Sequence, residues 1–321
     1  MKESRNPTEK SPSIEQEEKP RLRLMITRHA ERIPSGELSP EGVRKAGEKG
    51  KNMQGKAEVL KGYASNEKSK RTVDTSNLIS KGSGIESPQT GDAYSTKEVK
   101  DIQYDILNPD LAHVLKEAPK MINDATLEEL DKTGKYSLEK DADGNITTEL
   151  NKLSKGVQIE IAPIRQKNQI IGLRHVMKNS EAVNRLAMGL AHQELKELGI
   201  AKRYVHSREE KKPLEGDVIL NTNTHGLFVE SLLTKAGFYV DEKGEKTPIA
   251  DIEDENIGGF MQPGESITLD IGEDPSNPPQ EIPVIFEGEN RPQAGKVFID
   301  LKKMQELDEE YIKWKEAQKK K

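Results

Sequence analysis

The sequence of 321 residues contains no cysteine. This absence excludes disulfide bonds, zinc sites built on thiolates, and a cysteine nucleophile. Aromatic residues make up only 4% of the chain, with a single tryptophan, so a core must be built mainly from isoleucine, leucine, valine and methionine. With 33% charged residues and a mean hydropathy of −0.81, the chain is polar, yet it is long enough for one large domain or two modest ones.

Long apolar runs are absent as well. No stretch approaches the roughly 20 apolar residues that cross a bilayer, so we expect no membrane partner. Residues 1–20 are charged, lack the apolar segment of a secretory signal, and are predicted to be a disordered tail of a cytoplasmic protein. The net charge of −6 and the pI near 5.7 argue against nucleic-acid binding, because no overall positive field attracts a phosphate backbone.

The most informative stretch is a short apolar segment, residues 22–26, which is followed by Arg28 and His29. Its length and the turn-forming residues 34–36 favour a buried strand over a helix. Ligands bind at the carboxyl ends of strands in open α/β sheets. There a guanidinium offers a planar fork of donors to phosphate, and an imidazole can attack phosphorus or carry a proton. An isolated Arg-His pair also fits a solvated arginine beside a hydrogen-bonded surface histidine. The choice between these two interpretations depends on the motifs in the rest of the chain.

Strand and helix patterns alternate along the chain. Ser39 and Pro40 are typical of a helix start, as a cap and as a first helical residue. Further strands are predicted over 58–65, 97–107, 266–271, 284–286 and 297–301. An apolar strand is also predicted from residue 217, followed by the polar residues 221–224. Further helices are predicted over 67–79 with Gly82 as its stop, 111–121, 180–198 with Gly199 as its stop, and 227–236. This order predicts an α/β fold with three αβα layers, in which helices cover both faces of a mostly parallel sheet.

The predicted domain covers residues 21–301 and is followed by a charged, solvated helical tail over 302–321. Residues 108–170 are interpreted as an insertion that resembles a lid and supplies specificity. Within it, residues 141–145 resemble part of a calcium loop, but Leu150 stands where a bidentate glutamate is required. A hairpin between 136–138 and 146–148 explains this segment better.

Three polar clusters follow predicted strands: Arg28 with His29, the region from residue 65 to Arg71, and Thr224 with His225. If the strands are parallel neighbours, all three clusters meet at one edge of the sheet. Two guanidiniums and a cationic imidazole can surround the three oxygens of a phosphoryl group without a metal. The sequence therefore predicts a phosphate pocket with a candidate histidine nucleophile, and no metal or other cofactor.

These motifs resemble the histidine phosphatase superfamily, on the branch that includes phosphoglycerate mutases. Residues 24–31, followed by 38–46, are similar to the opening of that family, and Ala30 in the third place is similar to the small phosphohistidine phosphatases. Residues 65–75 resemble the second arginine motif, and residues 223–226 resemble the second histidine motif. The likeness covers roughly residues 21–80 and 180–240.

The resemblance implies a metal-independent phosphatase that acts on a phosphomonoester or a phosphohistidine. His29 would attack phosphorus and carry a phosphohistidine intermediate, which water then hydrolyses. Arg28 and Arg71 would hold the non-bridging oxygens, and His225 would donate to the developing charge. The substrate would be a phosphorylated small molecule or a phosphoprotein. Two alternatives stay open: a member of the same fold that binds a phosphorylated ligand with weakened turnover, and a mutase-type phosphotransferase. The substrate's identity and the oligomeric state are not indicated by the sequence.

A proton donor for the leaving oxygen is also implied, since the mutase branch places an acid after its third strand. Asp105 is the predicted donor, with Asp101 and Glu98 as alternatives. The acid-phosphatase branch places an aspartate directly after the second histidine, and Gly226 in this sequence excludes that arrangement.

A second Arg-His pair, Arg174 and His175, also follows an apolar run, residues 170–173. It lacks the helix motif that follows His29 and is predicted to lie outside the site. Glu31 and Arg32, which flank the first pair, are interpreted as surface residues or as supporting partners.

Overall fold

The chain folds around a mixed β-sheet. A computed structural model describes residues 19–64, 70–85, 110–209, 214–288 and 291–320. Within those residues, eight strands form one sheet in the order β2-β3-β1-β6-β7-β8-β4-β5. The strands are β1 (Leu22–Arg28), β2 (Ala57–Ala64), β3 (Asp217–Thr224), β4 (Gly237–Val240), β5 (Lys246–Pro248), β6 (Ser266–Gly272), β7 (Glu281–Glu287) and β8 (Val297–Asp300). The helices are α1 (Pro40–Lys51), α2 (Lys70–Ser83), α3 (Ala112–Thr133), α4 (Lys155–Lys167), α5 (Gln169–Met177), α6 (Ser180–Glu209), α7 (Gly226–Ala236) and α8 (Leu301–Lys319).

The α/β class is confirmed, but the sheet is mixed rather than mostly parallel. Strand β3 pairs in parallel with both β1 and β2. The pairs β1–β6, β6–β7, β7–β8, β4–β8 and β4–β5 are antiparallel. Parallel neighbours need a long crossover connection, usually a helix, whereas the segments that join β6 to β7 and β7 to β8 are short. The strands β6, β7 and β8 are therefore antiparallel neighbours.

Helices cover both faces of the sheet because side chains alternate along each strand. In β1, Leu22, Leu24 and Ile26 pack in the cluster that includes residues of α6, α7 and α8. Met25 faces the opposite side and joins a smaller cluster with residues of α1 and α2, among them Ile79. These clusters form the three predicted layers.

The start of α1 follows its sequence signals. Ser39 has extended backbone angles, and its hydroxyl accepts a hydrogen bond from the amide of Gly42 at 3.0 Å. Pro40 occupies the first turn, as expected of a residue with no amide hydrogen to satisfy. Gly82 lies within α2, which ends one residue later at Ser83. A Cβ at position 82 would stand 2.4 Å from the carbonyl oxygen of Gly47 in α1. The glycine allows the two helices to pack closely.

The inserted region has a hydrophobic cluster of its own. Leu127, Leu130, Leu150 and Ile161 are buried together, which joins α3 and α4 through the turn between them. An isolated antiparallel bridge connects Lys140 to Ile146, so the segment turns back on itself as a hairpin does.

The remaining expectations about helices, strands and tails have different outcomes. Helix α6 continues through Gly199 to Glu209, and the apolar run before Arg174 is the helix α5 rather than a strand. Helix α8 forms as predicted but is not solvated throughout, since Leu301, Met304, Leu307 and Tyr311 are buried. The predicted strand 97–107 and nearly all of the predicted tail 1–20 lie outside the described residues. No helix among the described residues is both long enough and apolar enough to cross a membrane.

Candidate active site

The two histidines predicted from the sequence meet at one end of the sheet. Strands β1 and β3 are parallel neighbours, with Arg28 paired to Thr224 in the register. The amide of His29 donates to the carbonyl oxygen of Thr224 at 2.9 Å, which holds the residue after β1 beside the end of β3. The imidazole rings of His29 and His225 are 5.0 Å apart between centroids and inclined by 75°. Residues separated by nearly two hundred positions thus form one cluster.

The ring of His29 is oriented by its own backbone neighbourhood. Its Nδ1 lies 2.9 Å from the carbonyl oxygen of Ala30, and a carbonyl can only accept a hydrogen bond. Nδ1 therefore carries the hydrogen, and the neutral ring keeps a lone pair on Nε2. Burial lowers the pKa of His29 well below its ordinary value, and the positive charges of Arg71, Arg28 and Arg32 lower it further. His29 is therefore neutral at physiological pH, as a nucleophile must be.

His225 has the opposite arrangement of hydrogens. Arg71 Nη2 lies 3.3 Å from His225 Nδ1, and a guanidinium can only donate, so Nδ1 accepts and Nε2 carries the hydrogen. Burial lowers the pKa of His225 well below its ordinary value, and the nearby charge of Arg71 adds to this effect. The expectation of a cationic imidazole beside a phosphoryl group stays a prediction, since burial and Arg71 favour the neutral ring. His225 is nevertheless a donor through Nε2–H in its neutral form.

Arg28 is buried beneath the start of α7. Its Nη1 donates to the carbonyl oxygen of Met261, and its Nη2 donates to the side-chain oxygen of Gln169. A Cβ at position 226 would stand 3.1 Å from Arg28 Nε and 3.2 Å from Cδ and Cζ. Gly226 therefore leaves room for the guanidinium. Because Arg28 already donates to two protein acceptors, it is held in one orientation before any ligand arrives.

Thr75 connects the helix that carries Arg71 to the loop that carries His29. Its hydroxyl accepts from the amide of Ala30 at 3.1 Å and donates to the carbonyl oxygen of Arg71 at 2.7 Å. The side chain is fully buried. The amide next to the nucleophile and the first turn of α2 are thus joined through one hydroxyl group.

These groups line a cavity of about 380 Å³ that is strongly cationic at one side. Its basic lining residues are His29, His225, Arg28, Arg32, Arg71, Arg165 and Lys116. Apolar side chains of α3, including Leu115 and Ile122, form another part of the wall. No aspartate or glutamate is present among the described lining residues. An anionic ligand with an apolar portion suits such a cavity.

Sequence reasoning missed several of these groups. Arg32, interpreted as a surface residue or a supporting partner, lines the cavity. Its position three residues after His29 could have indicated that Arg32 lies close to the site. Arg165 also lines the cavity, from α4 in the insertion, where nothing in the local sequence distinguishes it from a solvated arginine.

Other predicted residues lie elsewhere. Asp105, Asp101 and Glu98 fall outside the described residues, so the proton donor stays a prediction. Arg174 pairs with Glu253 at 2.6 Å, and His175 with Glu117 at 3.1 Å. Neither residue lines the cavity, in agreement with the expectation for this second Arg-His pair.

Within the described residues, no group of three or more histidine, aspartate or glutamate side chains is placed to hold a metal ion. The charged groups of the described cavity wall are its arginines and Lys116.

No family model and no curated protein matches the sequence. Among solved structures, the apo phytase of Hafnia alvei is similar with a TM-score of 0.44 and 10% identity, covering 93% of this chain and 98% of that chain. The phytase of Citrobacter braakii has a TM-score of 0.45 and 10% identity, with coverages of 91% and 98%. A multiple inositol polyphosphate phosphatase from Bifidobacterium longum has a TM-score of 0.36 and 11% identity, with coverages of 95% and 95%. All three belong to the superfamily that the sequence motifs resemble. At these TM-scores the likeness assigns neither family nor activity.

Proposed function

We propose that this protein is a metal-independent phosphatase that hydrolyses phosphomonoesters through a phosphohistidine on His29. The observation that carries the proposal is the pair of neutral imidazoles, 5.0 Å apart, at the cationic side of the cavity. One ring keeps a lone pair on Nε2 and the other presents a hydrogen on Nε2. A nucleophile and a donor of this kind, surrounded by guanidiniums, match what phosphoryl transfer requires.

The reaction follows from these assignments. The Nε2 lone pair of His29 forms a bond to phosphorus while the bond from phosphorus to the ester oxygen breaks. Arg28, Arg71 and the Nε2–H of His225 donate to the non-bridging oxygens, whose charge they stabilise in the transition state. The leaving oxygen takes a proton, for which Asp105 is the candidate donor. Water then attacks the phosphorus of phosphohistidine, the N–P bond breaks, and inorganic phosphate leaves.

Hydrolysis of p-nitrophenyl phosphate in the presence of a chelator tests this function. We expect His29→Ala to lower kcat/KM by at least a thousandfold, because the nucleophile is removed. The matched control is His113→Ala, since His113 is exposed near the start of α3 and its Nδ1 lies 3.0 Å from the carbonyl oxygen of Asp110. Rapid acid-free quenching with labelled substrate should locate the phosphoryl group on His29. Equal rates for the His29 variant and the wild type would refute the proposal.

The role of Asp105 has a separate test. Nitrophenolate leaves without a proton, whereas an alkoxide does not, so Asp105→Asn should slow an alkyl phosphate far more than p-nitrophenyl phosphate. Asp101→Asn and Glu98→Gln serve as comparisons. If one of these variants shows the selective loss instead, that residue is the donor.

A second candidate function is binding of a phosphorylated ligand without turnover. The absence of a carboxylate from the described cavity lining favours it, because no carboxylic acid is present in that part of the site to protonate a leaving oxygen. Thermal stabilisation by phosphate, together with no product and no labelled histidine, would support this alternative over the phosphatase.

A further inference from the structure

Arg165 is a buried arginine that forms no ion pair with any carboxylate in the described part of the chain. Only 4% of its surface is exposed, and it lines the same cavity as His29 and His225. Its Nε donates to the side-chain oxygen of Asn123 on α3 at 3.2 Å. Within the described parts of the chain, no carboxylate forms an ion pair with it. A buried charge of this kind is costly unless something neutralises it.

Arg291, whose side chain is also 4% exposed, shows how such a charge can be accommodated within the protein. Arg291 donates to the carbonyl oxygens of Ile257, Gly259 and Phe260, and it forms an ion pair with Glu265. Arg165 has one neutral acceptor in place of these four partners. Among the described residues, the remaining donors of Arg165 are therefore available to an anionic ligand in the cavity.

Arg165 and Arg71 line the same cavity, and their positive charges repel each other. Burial lowers the pKa of Arg165 to about 10, and repulsion from Arg71 is the second cause. The guanidinium still carries its charge at neutral pH. The cations that lower the pKa values of His29 and His225 most are Arg71, Arg28 and Arg32, and Arg165 is not among them. Arg165 thus interacts electrostatically with Arg71 and lines the same cavity from a different element, α4.

From this geometry we propose that Arg165 binds a second anionic group of the substrate, a carboxylate or a further phosphate, beside the phosphoryl group that is transferred. The proposal rests on the proposed function for the identity of the transferred group. Arg165 comes from α4, in the inserted region, whereas the groups around the reacting phosphate come from the ends of β1 and β3 and from α2. The substrate class is therefore a phosphomonoester that carries another oxyanion near its ester.

Binding measurements test Arg165 without requiring catalysis. Calorimetry would compare benzylphosphonate, 3-carboxybenzylphosphonate and 1,3-xylylene bisphosphonate, none of which has a phosphate ester bond to hydrolyse. We expect the wild type to bind at least one of the two compounds with a second oxyanion at least tenfold more tightly than benzylphosphonate. The compound that gains more identifies the second group as a carboxylate or a phosphate. Equal affinities for all three in the wild type would overturn the proposal, whatever the outcome for His29 chemistry.

Variants assign the selectivity to this residue. Arg165→Met should reduce the affinity ratio between the doubly charged compounds and benzylphosphonate to near one, and Arg165→Lys should retain part of it. The control is Arg174→Met, because Arg174 is an exposed arginine of α5 that pairs with Glu253 and does not line the cavity. An equal loss for all three compounds in Arg165→Met would place Arg165 on the transferred phosphate and refute the proposal. An unchanged ratio would refute it as well. If Arg165→Met does not fold, the affinity ratio of Arg165→Lys and the affinities of the wild type still test the proposal.

Discussion

Two glutamates in the core of the protein should make its stability fall as the pH rises. Glu194 and Glu197 are fully buried on one face of α6. Thr222 Oγ1 donates to Glu197 Oε1 at 2.5 Å, and Gln193 Nε2 donates to the same oxygen at 3.1 Å. Burial nevertheless raises the pKa of Glu197 from 4.5 to about 7, and burial together with Glu197 raises the pKa of Glu194 well above its ordinary value.

The sign and size of the effect follow from proton linkage. Between pH 4.5 and about 7, folded Glu197 holds a proton that the unfolded chain has already released, so raising the pH through this window lowers the free energy of unfolding. At 1.36 kcal/mol for each pKa unit, the change from 4.5 to about 7 corresponds to about 3 kcal/mol. Glutamine at position 197 keeps an oxygen that Thr222 can donate to, and it cannot ionise.

Urea unfolding of the wild type and of Glu197→Gln at pH 5 and pH 8.5 measures this effect. We expect the variant to gain about 3 kcal/mol relative to the wild type when the two pH values are compared, because the carboxyl group at position 197 can no longer ionise in the core. Glu181→Gln is the control on the same helix, since the Glu181 side chain is 61% exposed. If the difference between Glu197→Gln and the wild type is the same at both pH values, the reasoning is wrong.

Three further predictions concern the site. Gly226→Ala places a Cβ 3.1 Å from Arg28 Nε, so we expect inorganic phosphate to bind roughly tenfold more weakly by calorimetry, and unchanged binding would contradict this packing role. Thr75→Val leaves the amide of Ala30 without its acceptor and should lower the free energy of unfolding by about 1–3 kcal/mol in urea, with Thr75→Ser restoring most of it. Burial, and next the charge of Arg71, keep His225 neutral; a phosphate dianion offsets the repulsion from Arg71, so binding near neutral pH should take up protons. Calorimetry in buffers of different ionisation enthalpy measures that uptake, which His225→Asn should reduce.

The site was only partly predictable, and the reason lies in how its members are held. Arg28, His29 and His225 follow apolar strands directly, so a pattern of a few residues was enough to identify them. Arg165 is placed in the cavity by the packing of α4 against α3, and its contact with Asn123 spans more than forty positions. A local pattern carries no information about such a contact.

The order of amino acids alone determined the strands that lead to the two histidines and the start of α1, because apolar alternation and the Ser39 cap act within a few residues. Only the tertiary structure decided the antiparallel pairing of the strands from β6 to β5, the burial of one face of α8, and the close contact between His29 and His225. Each of these depends on contacts between segments far apart in the chain, whose free energy is gained only once the intervening segments have packed.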